Sequence, residues 1–275
     1  MSGGSNARGL GPWVVTAGLA LTAAILLGEA GGLLPRPEGP PPDLTRARRV
    51  EVTAPGAFEN LLLGLRVHHY RPQPQSEALY RDLYFDTDAG DLLRHGYSYR
   101  FRTRLEGGGG AKYSLHLEQE SRFVPPGARR TELTTDLPDS DGEAIAADHS
   151  RALDAGAGIE ACERLLAVLE DLGIARSRLG PRLVGELRRE RLDVSDKGQN
   201  WFQMDHERWT FHGVEDTSRI VRIEDVALDV RLSPRDRELV RRVRTLDGLL
   251  PLIHGVRPAR EAPYERALAA LAASS

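Results

Sequence analysis

A chain of 275 residues carries 40 Asp and Glu against 37 Lys and Arg, a formal net charge of −3. That balance excludes a globally basic nucleic-acid binder, so any anion site must be a local concentration of arginine. The single cysteine, Cys162, excludes an internal disulfide and a cysteine-rich zinc site.

Residues 11–28, GPWVVTAGLALTAAILLG, hold no charge and follow Arg8. Residues 1–35 read as a signal-anchor or a cleavable signal peptide, with Gly28-Glu29-Ala30 as a small-x-small cleavage site. The expectation is membrane association by a single-pass N-terminal anchor, or export after cleavage. The short tail with one arginine favours export of the domain, whereas Arg36, Arg46, Arg48 and Arg49 pull it toward the cytoplasm. Residues 36–47 form a Pro-rich linker that cannot pack as an element.

RRVEVT, residues 48–53, alternates and predicts a first strand. Pro55 then suits the first turn of a helix over 55–66 whose apolar stripe is Phe58, Leu61, Leu62 and Leu65. RPQPQ reads as a turn-rich gap before the strand end LYFDT, where Asp86 and Thr87 suit a capped turn. In YSYRFRTR, residues 97–104, Arg100, Arg102 and Arg104 share one face of a strand. Three guanidiniums at that spacing repel one another, so the row must face water or a polyanion. Gly107 to Gly110 predict a hairpin tip leading to KYSLHLEQE, and RRTELTTDL, residues 129–137, reads as one more strand.

A helical stripe over 158–172 (Ile159, Cys162, Leu165, Leu166, Leu169, Leu172) ends at Gly173. Strands resume in PRLVGELRRERLDV, NWFQMDHERWTF and IVRIEDVALDVRLS. Ser233-Pro234 then suits the start of a helix over 234–246, and YERALAALAA forms a last helix. Strands with one apolar and one charged face predict an α+β fold: an antiparallel β-barrel curled round a polar interior, with flanking helices. Alternation alone fits a solvated outer face as well. The tryptophans form no aromatic ladder, and no nucleic acid is expected.

The ordered set LYFDT, an RxR strand and a late L-acid-x-basic strand resembles the CYTH and triphosphate-tunnel superfamily, and within it the VTC-type polyphosphate polymerase domain, over residues 48–271. The resemblance implies a tunnel that binds triphosphate, polyphosphate or a nucleoside triphosphate, with carboxylates holding Mg²⁺ or Mn²⁺. It implies phosphate contacts from Arg49, Arg100, Arg102, Arg130 and Arg189, and metal ligation by Asp229 with Glu51, helped by Glu118 or Glu132. The match is partial. Thr53 stands where a lysine belongs, Trp201 where an arginine belongs, and Ala262 and Pro263 replace a serine and a lysine ahead of Tyr264. These departures leave two functions open: metal-dependent polyphosphate synthesis or triphosphate hydrolysis, or an inactive polyanion-binding or scaffold domain of the cell envelope.

Overall fold

The computed structural model describes residues 48–107, 109–119, 132–154, 159–230 and 237–273. Its strands are β1 (Arg48–Val52), β2 (Arg71–Asp86), β3 (Tyr97–Leu105), β4 (Ala111–Gln119), β5 (Glu132–Leu137), β6 (Gly180–Asp196), β7 (Gln199–Gly213), β8 (Val221–Val230) and β9 (Val256–Pro258). They form one sheet in the order β5-β4-β3-β2-β6-β7-β8-β1-β9, and every neighbouring pair is antiparallel. The helices are α1 (Ala57–Val67), α2 (Asp91–Arg94), α3 (Asp139–Ala147), α4 (Arg151–Asp154), α5 (Glu160–Asp171), α6 (Arg237–Leu249) and α7 (Pro263–Ala273).

The expected antiparallel α+β architecture is the one observed, but the ladder is not closed into a barrel: among the described residues β5 and β9 stand at its ends. The strand alternation buries one face of the sheet in two places. Phe58, Leu61 and Leu65 of α1 and Leu239, Val243 and Leu246 of α6 pack on Leu192, Val194, Phe202, Met204, Val226 and Leu228. Ile145 of α3 and Leu165 and Leu169 of α5 pack on Leu83, Phe85, Tyr99, Phe101, Leu115, Leu117 and Val184.

The opposite face carries the polar residues of the same strands, and α7 lies on it. Tyr264 stacks on Tyr84 of β2 at 4.9 Å and donates its hydroxyl to the Tyr97 carbonyl of β3 at 3.2 Å. Two residues on, Arg266 donates to Asp225 of β8 at 2.5 Å and lies 3.5 Å from Glu51 of β1. In a flat sheet β3 and β1 would be roughly 24 Å apart. A helix about 10–12 Å across touches both with one turn because the sheet curls around it.

Several elements depart from expectation. The segment RPQPQ lies inside β2 rather than in a gap. Pro72 and Pro74 pair with Val194 and Leu192 of β6, whereas pairing of β2 with β3 begins only at Leu79, so the prolines sit where one side of β2 is an open edge and no N–H is needed. Pro55 precedes the helix, and α1 begins after Gly56, whose φ of 77° places it in the left-handed region. The helix α3 and the three-residue β9 had no sequence signal, since α3 buries only Gly142 and Ile145. Helix α6 begins at Arg237 among the described residues, and Ser233-Pro234 lies outside them, as does the apolar segment 11–28. No helix among the described residues is long and apolar enough to cross a membrane.

Candidate functional site: a curled sheet face lined by arginine and carboxylate pairs

Register decides which residues meet on the concave face. Arg102 lies opposite Asp82 and Arg100 opposite Tyr84 across β2–β3, and His116 and Ser114 continue the rows onto β4. Tyr80 lies opposite Leu187 of β6, whose next inward residues are Arg189 and Arg191. These face Glu207 and Asp205 of β7, and Glu207 faces Asp225 of β8, which faces Glu51 of β1.

The side chains form a continuous network. Arg102 grips Asp82 with Nε and Nη2 at 2.7 and 2.6 Å. Arg100 donates Nη2 to Glu118 at 2.5 Å, and its Nε lies 3.4 Å from Asp82. Arg189 donates to Glu207 at 2.9 Å, Arg49 to the other Glu207 oxygen at 2.6 Å, and Arg191 to Asp205 at 2.8 and 2.9 Å. Arg266 bridges Asp225 and Glu51, which also accepts from Arg257 at 2.6 Å. Tyr80 joins the halves: the guanidinium carbons of Arg102 and Arg189 lie 4.8 and 5.1 Å from its ring centroid.

Four of the five arginines expected to contact phosphate, Arg49, Arg100, Arg102 and Arg189, therefore share one face. Arg130 lies outside the described residues. Arg100 and Arg102 are under a tenth exposed, and two of the network's guanidinium donors, Nε of Arg100 and Nε of Arg266, are shielded from solvent without a hydrogen-bond acceptor. A shielded donor left unmatched costs about 1–3 kcal/mol.

Electrostatics bind the network tightly. Burial works against the charge on Asp82, yet Arg102 and then Arg100 outweigh it and hold the carboxyl below its usual range. Burial opposes the charge on Glu207 too, but Arg49 and Arg189 push it down to about 2. His116 moves the other way for a base: burial first, then the charges of Arg100 and Arg102, lower it to about 3. Its neutral ring lies between the hydroxyls of Ser114 at 2.8 Å and Thr134 at 3.0 Å.

The expected metal pair is not brought together. Glu51 lies opposite Asp225, and Asp229 is exposed four residues further along β8, roughly 13 Å away at strand rise. Asp229 faces Gln203 instead. Both Glu51 and Asp225 are engaged by Arg266, and among the described residues no three His, Cys, Asp or Glu side chains converge on a cation position. In this arrangement the described residues do not fit a resident divalent cation. Glu118 holds Arg100, and Glu132 is exposed opposite it on β5.

Sequence reasoning missed Asp82, Glu207, Asp225, Arg191, Arg257 and Arg266 as members of the network. Asp82 and Glu207 lie in segments that read as strands, but only their register with β3 and with β6 and β8 brings them to the arginines. Asp225 and Asp229 have the same parity, and only the register with β1 separates them. Beside the network, Glu51, Arg257, Arg260, Glu261 and Arg266 line a cleft of ≈ 620 Å³ between β9 and α7.

No family profile matches the chain, and no curated protein matches it. Among solved structures it is similar to a candidate adenylyl cyclase from Hippeastrum described as having a dominant triphosphatase activity, at 16% identity and a TM-score of 0.49, over 80% of this chain and 92% of that one. It is similar to a candidate adenylate cyclase from Bacillus halodurans at 17% identity and a TM-score of 0.48, over 80% and 95%. The RNA triphosphatase Pct1 of S. pombe matches at 10% identity and a TM-score of 0.31, over 85% and 92%. At these identities and scores the likeness ends at gross architecture, and the chemistry of the face rests on its own residues.

Proposed function

We propose that the concave face binds the phosphates of tripolyphosphate, polyphosphate or a nucleoside triphosphate. The observation that carries this is the delivery of Arg49, Arg100, Arg102 and Arg189 by three strands, β1, β3 and β6, to one face, with Arg102 and Arg189 against Tyr80. Planar guanidinium forks bind closely spaced phosphate oxygens bidentately, and the shielding strengthens each contact. Titration calorimetry of the full chain with tripolyphosphate tests it. Heat and thermal stabilisation are expected in wild type and neither in Arg100→Ala/Arg102→Ala; no heat and no stabilisation in wild type at low salt overturns the reading.

Metal-dependent phosphoryl transfer, as hydrolysis or as polyphosphate synthesis, is the finer reading, and the partial family resemblance supports it. A divalent cation held by Glu51 and Asp225 would require Arg266 to leave both carboxylates. A second reading, an inactive polyanion-binding domain tethered to a membrane by residues 11–28, is favoured by the pairing of these carboxylates with arginine. Phosphate release from tripolyphosphate, and polymer formation from ATP, each assayed with Mg²⁺ and with Mn²⁺, separate the two. Turnover supports catalysis, and binding without turnover supports the binding domain.

A further inference from the structure

Asp82 lies at the base of the concave face with no exposed surface. So short and covered a side chain does not reach a ligand in the concavity; it reaches the arginines above it. Its Oδ1 accepts Nε of Arg102 at 2.7 Å, its Oδ2 accepts Nη2 at 2.6 Å, Nε of Arg100 lies 3.4 Å away, and the Tyr84 hydroxyl donates at 3.3 Å. Using Nε and Nη2 together occupies one edge of the guanidinium and fixes its plane, while the Tyr80 ring at 4.8 Å limits the tilt. What remains of Arg102 is the other edge, the fork made by Nη1 and the second Nη2 hydrogen, for which the described residues provide no acceptor.

We propose that Asp82 is a positioning residue for phosphate: it holds Arg102 by one edge so that the opposite fork is presented to a pair of phosphate oxygens. It also keeps two nearly buried arginines of one strand in place before the ligand arrives, since their charges repel each other and only a covered counter-charge beneath both relieves that repulsion without occupying the ligand's space. The role rests on the reading that this face binds a phosphate chain.

The alternative is that Asp82 is only a counter-charge, and the two roles predict opposite signs. Deleting a negative charge beneath a polyanion site strengthens binding by electrostatics alone, whereas releasing Arg102 from its orientation weakens it. In Asp82→Asn an amide of the same shape loses the two-point grip, because its nitrogen presents hydrogens to a guanidinium that has only hydrogens to offer. Tripolyphosphate titrated into the full chain at one ionic strength is expected to bind Asp82→Asn about tenfold or more weakly than wild type, the size of one lost charge-assisted contact. Equal or tighter binding overturns the proposal. In an Arg102→Ala background the same substitution is expected to weaken binding no further, and a second loss of the same size overturns the route through Arg102.

Should Asp82→Asn fold poorly, the wild type decides through ¹H–¹⁵N spectra of the arginine Nε–H groups. The Arg102 signal is expected to exchange slowly without ligand and to persist at saturating tripolyphosphate. Exchange as fast as that of an exposed arginine, or loss of the signal on binding, overturns the proposal. Wild type that shows no binding at all overturns the phosphate reading itself, an outcome distinct from equal binding by the variant.

Discussion

Single side chains here are read best through their protons. The folded chain resists protonating His116, whose pKa is lowered from 6.5 to about 3 by burial and by Arg100 and Arg102. The unfolded chain takes that proton up near 6.5, so U binds more protons and stability falls as pH drops from about 6.5 toward about 3. His116→Gln should remove this part of the slope, as urea denaturation at pH 7, 5.5 and 4 would show; an unchanged slope contradicts the placement of the ring beside the arginines. Glu207 acts in a lower window. Its pKa is lowered from 4.5 to about 2, so the stability it contributes above 4.5 is lost as pH falls toward 2. Glu207→Gln should cost stability at pH 6 and progressively less as pH falls through about 2. Both residues alternate visibly in their strands, and alternation puts Arg100 and Arg102 on one face while leaving open what that face meets, which is Asp82 and Glu118. Those carboxylate partners were not legible, because alternation assigns a face to a residue without saying which strand lies beside it.

The elements show why pattern reading stopped where it did. Long alternating strands and capped apolar stripes were legible; a strand containing two prolines was not, since the open edge that tolerates them exists only once β3 ends at Leu105. Close contact between elements is carried by small residues. Gly185 of β6 lies opposite Asp82, and a Cβ there would lie 2.6 Å from Cε1 of Phe211 and 3.3 Å from Cε3 of Trp209. Those rings stack at 5.1 Å and belong with Tyr264 and Ala267 of α7 in one buried cluster. Gly185→Ala should therefore displace both rings, destabilise the fold by about 1–3 kcal/mol in urea denaturation, and make α7 more accessible to proteolysis. A variant as stable as wild type would show that α7 does not depend on that packing.

Across the molecule, β2 and β6 form the spine. They pair from Arg71↔Ser195 to Asp86↔Gly180, and β6 supplies Leu192 and Val194 to one buried cluster and Val184 to the other. Amide exchange should be slowest there, and faster exchange in β6 than in β5 would refute this. The net charge of −3 means that no long-range field draws an anion to the protein, so binding depends on the local face. Tripolyphosphate affinity should fall as salt rises, because screening weakens charge contacts. It should be indifferent to Arg36→Ala, a residue expected in the Pro-rich linker of residues 36–47 and outside the described face.

The arginines of the network, Arg49, Arg100, Arg102, Arg189, Arg191, Arg257 and Arg266, face Glu51, Asp82, Glu118, Asp205, Glu207 and Asp225, so their charges nearly cancel. This balance has a consequence for how such a face evolves. Its preference for ligand charge is adjustable by subtraction: a Glu codon becomes a Gln codon by one base change, and at Glu118 or Glu51 that change frees a guanidinium while keeping the side chain's size. A lineage can thus move between holding its arginines closed on themselves and opening them to a more highly charged partner without rebuilding a strand, and can return by the reverse step.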